Sequence, residues 1–312
     1  MMENLVLYLL AFLVFPGFLF TSTFGLVVSW IDRKVSARIQ WRVGPPFFQP
    51  FYDLFKLWQK ELIIPRSAKG MAFIIAPFIG LAATSLLASI IGIINLNPEY
   101  QFVGDVIVIV YLMMIPPLAI IWGGFSSGNP LAALGANREI KLMMGYELPF
   151  ILAVVTVFFK VGSISLGEII QYQQVHGALL NHPSMLVAFA VSLLWLQAKL
   201  GEIPFDISEA ECEIMEGPFI EYSGPLLGVY KVMMAMLHVV CPWFLISIFW
   251  GGTSMQGWGI LWSVLKFVFI IVLVIIIKNT NPRVRIDQAV KFFWGWVTLL
   301  ALIAMVLMFL GY

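Results

Sequence analysis

The feature that most constrains this chain is a series of long apolar runs, each about as long as a lipid bilayer is thick. A helix needs roughly 20 apolar residues to cross the hydrocarbon core, and this 312-residue sequence is 61% hydrophobic and only 11% charged. Spanning segments must be helices or closed barrels, because backbone groups in hydrocarbon have no water to bind. Barrel strands alternate apolar and polar residues, and these runs do not. The sequence therefore predicts an all-α polytopic membrane protein.

We predict about eight transmembrane helices, of which the fifth is the shortest, in a single transmembrane domain of residues 1–312. The predicted spans are 4–30, 71–95, 103–124, 141–161, 184–200, 222–251, 258–278 and 291–311. Fifteen of the 18 lysines and arginines then lie in or beside the loops of one membrane face. By the positive-inside rule, these charged loops are cytoplasmic and both termini are outside the cell membrane.

The first loop, residues 31–70, contains a candidate amphipathic helix. Apolar residues recur at helical spacing, and polar residues fill the other face; the apolar set is Phe51, Leu54, Phe55, Trp58 and Leu62. This pattern is typical of a helix that lies in the membrane interface. A helix that packs on the cytoplasmic ends of the spans fits the pattern equally well.

The loop 201–221 contains seven acids and no lysine or arginine: Glu202, Asp206, Glu209, Glu211, Glu213, Glu216 and Glu221. If the loop is helical after Pro204, four of these acids share one face: Asp206, Glu209, Glu213 and Glu216. Interleaved apolar residues predict partial burial, which raises carboxyl pKa values. Such a cluster can hold and pass protons. A solvated acidic surface is the alternative.

Basic residues in the first loop balance this acidic loop. We expect Arg33, Arg38 and Arg42 to pair with acids of 201–221, or with an acidic ligand or partner. If residues 32–42 are helical, Lys34, Arg38 and Arg42 share a face.

Four titratable residues inside predicted spans are candidates for a polar path through the bundle. Glu147 lies in the fourth span, where an unpaired acid costs about 2.5 to 3.5 kcal/mol. Lys231 and His238 are seven residues apart in the sixth span and share a face, and Lys266 lies in the seventh. Together with Glu147, these three residues could form a continuous polar path through the bundle. Each of them could instead belong to a structural ion pair.

The chain shows no site of its own for a metal, haem or nucleotide. It has two cysteines, Cys212 and Cys241, which are too few to ligate an iron–sulfur cluster. Glycine-rich nucleotide motifs and the HExxH zinc motif do not occur. We therefore expect no cofactor in this chain and no nucleic-acid partner.

Five motifs, in order along the chain, resemble the quinone-module membrane subunit of respiratory complex I. They are residues 32–45 (DRKVSARIQWRVGP), 49–61 (QPFYDLFKLWQKE), 145–147 (GYE), 204–224 (beginning PFDISEAECE and ending EYSG) and 282–288 (PRVRIDQ). The family also includes the corresponding subunit of energy-converting membrane-bound nickel–iron hydrogenases and their relatives.

Three departures favour that second branch. Asp32 stands where complex I members usually have Glu. Residues 44–48 (GPPFF) replace a longer stretch that helps build the quinone-binding region, and residues 215–219 (MEGPF) resemble hydrogenase-type members. The chain is thus most similar to the subunit of an archaeal-type membrane-bound hydrogenase or of its sulfane sulfur reductase relative.

The resemblance implies a division of labour. Hydrophilic hydrogenase-like large and small subunits would carry the iron–sulfur clusters and a nickel–iron or related centre. This chain would anchor them and couple their ferredoxin-driven electron transfer to proton or sodium translocation in antiporter-like membrane subunits, within lipid. The residues that match the family's proton-channel acids are Glu147, Glu209, Glu211, Glu213 and Glu221, to which we add Lys231 and His238. The residues that match the redox-arm contact or quinone-like cavity are Arg33, Arg38, Arg42, Asp206, Arg283 and Arg285.

Two other functions remain open at this point. The chain could be the quinone-binding subunit of an NADH:quinone oxidoreductase. It could also be a free-standing ion transporter or a structural anchor. The asymmetric charged loops argue against this function, because a free-standing transporter does not need a docking face.

Overall fold

The computed structural model describes residues 2–254 and 257–311, and in these residues the regular secondary structure is helical throughout. The helices are α1 (Met2–Leu13), α2 (Phe18–Ile39), α3 (Gln49–Trp58), α4 (Gly70–Leu96), α5 (Asp105–Ser126), α6 (Pro130–Val161), α7 (Leu166–His176), α8 (Pro183–Lys199), α9 (Glu211–Ile214), α10 (Gly224–Phe249), α11 (Gly259–Thr280), α12 (Ile286–Phe292) and α13 (Thr298–Phe309). A π-helical turn, Phe293–Val297, joins the last two into one long rod.

Seven segments of the described chain are long and apolar enough to cross a membrane, and α8 is a shorter apolar helix of 17 residues. At 1.5 Å per residue, α8 is about 25 Å long, which is at the lower end of spanning lengths. The prediction of an all-α polytopic membrane protein with about eight spans, of which the fifth is the shortest, is confirmed.

Two predicted helix boundaries are wrong. The first span, 4–30, is broken between α1 and α2 at Pro16, which has no N–H to continue a helix, and α2 then runs on to Ile39. The fourth span begins at Pro130 rather than at 141, because Asn129 caps the helix by accepting a hydrogen bond from the Leu131 amide at 2.9 Å. The earlier start brings Glu139 into a membrane-length helix.

Helix α10 is the most buried of the seven membrane-length segments, and α2, α4 and α8 pack around it. Gly25 lets α2 approach closely, since a Cβ there would lie 2.3 Å from the carbonyl oxygen of Ala235. Helices α11 and α13 are mostly exposed on the outside of the bundle.

Helix α3 forms as predicted, except that it ends at Trp58 and leaves Leu62 outside. Its buried residues, Pro50 and Leu54, face the bundle, where α3 contacts α10. Tyr52, Phe55 and Trp58 remain exposed. One face therefore packs on the spans, while an aromatic face is left for the surroundings.

The bundle has two unlike ends. We call the end where residues 40–69, 127–129, 200–223 and 281–285 meet the charged end, because its loops are joined by ion pairs. At the opposite end, formed by residues 97–104, 162–182, 250–254 and 257–258, hydrogen bonds of amide, hydroxyl and backbone groups join the loops.

Candidate functional site

The acidic loop at the charged end is mostly not helical. Its α-helix is confined to Glu211–Ile214, with a 3₁₀ turn at Gly217–Phe219. Asp206, Glu209, Glu213 and Glu216 therefore do not share a helical face, and that prediction is wrong. The segment instead forms tight turns: the Ile207 amide donates to the Phe205 carbonyl at 2.8 Å, and Phe205 and Ile207 are both buried.

Aromatic and glycine contacts hold the loop against the bundle. The Phe205 ring lies 4.8 Å from the Phe293 ring, centre to centre. Gly217 has a φ of +53°, and a Cβ at this position would lie 1.9 Å from the Ser208 carbonyl oxygen. Only glycine allows this return of the chain.

Two ion pairs and one backbone bond clamp the loop from outside. Arg283 pairs with Asp206, and Arg138 lies 2.5 Å from Glu213. The Val284 amide donates to the Pro204 carbonyl at 3.0 Å. These groups border a surface cavity of about 310 Å³ whose charged lining residues are Arg138, Glu213, Arg283, Arg285 and Asp287.

The arginines of the first loop do not pair with the acidic loop, so the first of the two expected pairings is wrong. Arg33 binds Asp53 of its own loop at 3.1 Å. Arg38 and Arg42 are exposed, and neither forms an ion pair within residues 2–254 and 257–311. Arg42 also follows the end of α2 at Ile39, so the helical face of Lys34, Arg38 and Arg42 stops at Arg38.

A different cluster links the first loop to the acidic loop. The Lys278 ammonium lies 2.8 Å from both Asp32 and Glu202, and His238 Nε2 lies 3.2 Å from the same Glu202. Burial alone would raise the pKa of Glu202, but the hydrogen bond from His238 and the charge of Lys278 outweigh it and hold the pKa below its usual range. Glu202 is therefore a carboxylate.

Lys231 and His238 share a face, as predicted. They belong to a stripe of accessible positions on the otherwise buried helix α10, which also includes Leu227 and Met234. The Lys231 ammonium lies 5.9 Å from the centre of the Phe219 ring. The stripe faces the acidic loop, through His238 and Glu202 at one level and Lys231 and Phe219 at another.

Glu209 is the acid of this loop whose protonation is most affected. Burial, reinforced by the nearby acids Asp206 and Glu139, outweighs the attraction of Lys231 and raises the pKa of Glu209 to about 8. Glu209 is thus a carboxyl group that can bind and release a proton near neutral pH.

Two further acids of this loop, Glu221 and Glu211, were also predicted to lie on the proton path. Glu221 accepts a hydrogen bond of 2.6 Å from Asn129. The side chain of Glu211 lies outside the described residues, as does that of Cys212.

Inside the bundle, Glu147 pairs with Lys199 at 2.6 Å, and both side chains are almost wholly buried. Glu139, eight residues earlier on α6, is also buried. The sequence analysis missed Glu139 because it fell in a predicted loop. It missed Lys199 because that residue was counted among the orientation charges.

Lys266 does not join this line, contrary to the proposed polar path. Its ammonium donates hydrogen bonds to the carbonyl oxygens of Trp250 at 2.6 Å and Gly252 at 3.2 Å. These carbonyls follow α10 at the opposite end, where a cation stabilises a helix C-terminus. Lys266 is therefore structural.

The described residues contain no cluster of three His, Cys, Asp or Glu side chains that could hold a metal ion. Cys241 is buried and unpaired.

Comparisons with known proteins place this geometry in context. A family model described as NADH dehydrogenase matches residues 10–309. An NADH-quinone oxidoreductase subunit of Thermomicrobium roseum is 33% identical, over 88% of this chain and 88% of that protein. The corresponding protein of Carboxydothermus hydrogenoformans is 29% identical, over 95% of this chain and 87% of its own length. A chain in the structure of the membrane-bound sulfane sulfur reductase, an archaeal respiratory membrane complex, superposes with a TM-score of 0.87 at 30% identity, covering 96% of this chain and 98% of that one.

Proposed function

The chain belongs to the NADH dehydrogenase family, and we propose that it is the membrane anchor and coupling subunit of a complex I-like, ferredoxin-driven respiratory complex. That complex is a membrane-bound hydrogenase or a sulfane sulfur reductase. The similarity to the sulfane sulfur reductase chain over nearly its whole length supports this branch. The short residues 44–48 support it as well.

The observation that carries the proposal is a series of titratable groups that leads from the charged end into the bundle. It begins at Glu202 and His238, continues through Glu209, and reaches Glu139 and the buried pair of Glu147 and Lys199. Buried acids are costly in a membrane, and their usual reason is ion or proton movement. An anchor without transport has no need for them.

The charged end has the features of a docking surface for a hydrophilic arm. Exposed arginines are enriched in binding surfaces, and Arg38, Arg42 and Arg285 are exposed at this end. In this proposal the end faces the cytoplasm, and both termini are outside. Its partners are hydrophilic hydrogenase-like large and small subunits, which hold the iron–sulfur clusters and, in the hydrogenase branch, a nickel–iron centre. Antiporter-like membrane subunits flank the chain in lipid.

The clamp on the acidic loop offers a route for coupling. Asp206 is tied to Arg283 and Glu213 to Arg138, at the surface where the arm would sit. A displaced arm would therefore shift the loop that contains Glu202 and Glu209. Protons would then be exchanged with Glu147 as the redox state of the arm changes.

The test is the purified complex reconstituted in vesicles, with the Glu147→Gln and Glu213→Gln variants. We expect each to lower ion translocation per electron at least tenfold while the complex stays assembled. Glu168→Gln, at an exposed acid of α7 near the opposite end, is the matched control and should behave as wild type. Wild-type translocation in both test variants would exclude this proton path.

A quinone-binding role is the second candidate, because the curated relatives are NADH-quinone oxidoreductase subunits. Photolabelling of the chain by a quinone analogue, and loss of turnover in quinone-depleted membranes, would support it. Ferredoxin-dependent turnover without quinone would exclude it. Stable activity of the chain purified without hydrophilic subunits would instead favour a free-standing transporter.

A further inference from the structure

The interior of the bundle contains a cation enclosed by aromatic rings. The Lys199 side chain is completely buried, and its ammonium lies 2.6 Å from Glu147 Oε1. The same nitrogen lies 5.3 Å from the centre of the Tyr146 ring and 5.7 Å from that of Trp195. An ammonium has three N–H donors, and the contact with Glu147 occupies one.

Two polar atoms in this enclosure have no partner. Tyr146 Oη and Trp195 Nε1 are buried, and no described residue forms a hydrogen bond with either. Buried polar side-chain atoms are nearly always satisfied, by protein or by ordered water. The ammonium, the carboxylate, the hydroxyl and the indole N–H together supply the two to four polar partners that a buried water needs.

The enclosure lies between two carboxylates of α6. Tyr146 follows Glu139 by seven residues, so the two occupy one stripe of the helix, and Glu147 is the next residue. The charges of Glu139 and Glu147 both act on Tyr146, and the charge of Lys199 acts on Glu139 as well as on Glu147. Two acids of the loop lie near Glu139: Asp206 is paired with Arg283, and Glu209 has a pKa raised to about 8 by burial.

The charges in this enclosure require one proton. Two carboxylates and one ammonium carry a net charge of −1, and burying an uncompensated charge in a bilayer is costly. One bound proton makes the group neutral. Because Lys199 touches Glu147 at 2.6 Å, the negative charge is on Glu147 and the proton is on Glu139.

We propose that Tyr146 and Trp195 bind water between Glu139 and Glu147, and that Lys199 is the positioning residue of a proton relay through this water. The O–H bond of Glu139 breaks and its proton passes to water, while another water proton forms an O–H bond on Glu147. The ammonium keeps its three protons and moves from Glu147 to Glu139, so the group stays neutral. This inference rests on the proposed function and adds two residues to its path, Glu139 and Lys199.

The experiment uses the assembled complex in vesicles and begins with Tyr146→Phe, which removes only the hydroxyl. Tyr111→Phe, at a tyrosine exposed on α5, is the matched control. We expect Tyr146→Phe to lower ions moved per electron at least tenfold and to leave the melting temperature unchanged. A wild-type ion ratio, or a higher melting temperature because the hydroxyl had been buried without water, would overturn the proposal.

Lys199 is tested by Lys199→Met and by the conservative Lys199→Arg. The Met variant should move few ions per electron, and the Arg variant should recover at least a third of the wild-type ratio. An equal loss in both variants would contradict a role for the charge.

Infrared difference spectra recorded during turnover should show a protonated-carboxyl band that disappears in Glu139→Gln. An unchanged band in this variant would overturn the assignment of the proton to Glu139. If Glu147→Gln lowers ions moved per electron while Tyr146→Phe does not, this inference fails and the proposed function stands. If Glu147→Gln and Glu213→Gln both keep the wild-type ratio, the inference and the proposed function both fail.

Discussion

The charged end and the opposite end of the bundle bury polar groups in different ways. At the end away from the charged loops, Gln173 donates to the carbonyl oxygens of Ser247 and Ile248 at 3.2 and 2.9 Å and accepts from the Gly251 amide at 2.7 Å. Asn95 binds the Ser247 hydroxyl and the Thr253 amide in the same manner. Each group has partners that are fixed in the backbone or in short side chains.

At the charged end, paired carboxylates and amines are buried beside polar atoms that have no partner. In the described residues, the buried side-chain atoms without a partner are Tyr146 Oη, Trp195 Nε1 and Gln197 Oε1, all on this half of the bundle. The comparison teaches that burial of polar groups has two uses here. At the opposite end, the amides of Gln173 and Asn95 hold loops in place, whereas the carboxylates and amines buried beside unpartnered polar atoms can exchange protons.

The largest stability effect should follow from Gln173→Leu. The change leaves the Gly251 amide and two carbonyls buried without partners, each costing about 1 to 3 kcal/mol, so we expect a loss of about 3 kcal/mol or more. Thermal unfolding of the purified complex measures it. Gln174→Leu, on the exposed side of the same helix, should change little, and the surviving Gln173→Leu protein should keep its ions-per-electron ratio. Equal melting temperatures for both variants would break the comparison.

An intermediate effect should be the pH dependence that Glu209 brings. Its pKa rises from 4.5 to about 8 on folding, so between these values the folded protein binds more protons than the unfolded chain. Stability should therefore fall as pH increases from about 4.5 to about 8 and be level above that. Unfolding measured across this range should lose that part of the slope in Glu209→Gln. A Glu209→Gln curve parallel to that of wild type would show that Glu209 is ionised throughout.

The smallest stability effect should come from the exposed pair of Arg138 and Glu213. Surface ion pairs contribute about 0.2 to 1 kcal/mol, so a double-mutant cycle of Arg138→Gln and Glu213→Gln should give a coupling energy in that range. The number of ions translocated per electron should nonetheless fall sharply in Glu213→Gln. A coupling energy above about 2 kcal/mol would instead make this pair a structural clamp like those of the opposite end.

Much of the fold could be predicted from the sequence, because hydrophobicity and helical period are local properties. The boundaries of α4, α5, α10 and α11 fell within two residues of those predicted. The resemblance to the family was also correct. The roles assigned to the individual site residues stay predictions.

Local reasoning failed where a segment's conformation depends on distant contacts. A helical acidic loop is the local expectation, yet Phe205 and Ile207 are both buried in the bundle, although they would point to different sides of a helix. Charge balance favours a pair between Arg33 and that loop, yet Asp53 is closer. Lys266 looks in sequence like part of a transport path, although its partners are carbonyls at the end of α10.

The sequence by itself determined that the chain crosses the membrane about eight times and that its charges gather at one end, since both follow from composition along the chain. Only the tertiary structure decided which charges meet. Lys278 binds Asp32 across 246 residues of sequence, and Lys199 binds Glu147 across 52. Such pairs depend on how the helices pack, because packing decides which distant side chains come within hydrogen-bonding distance.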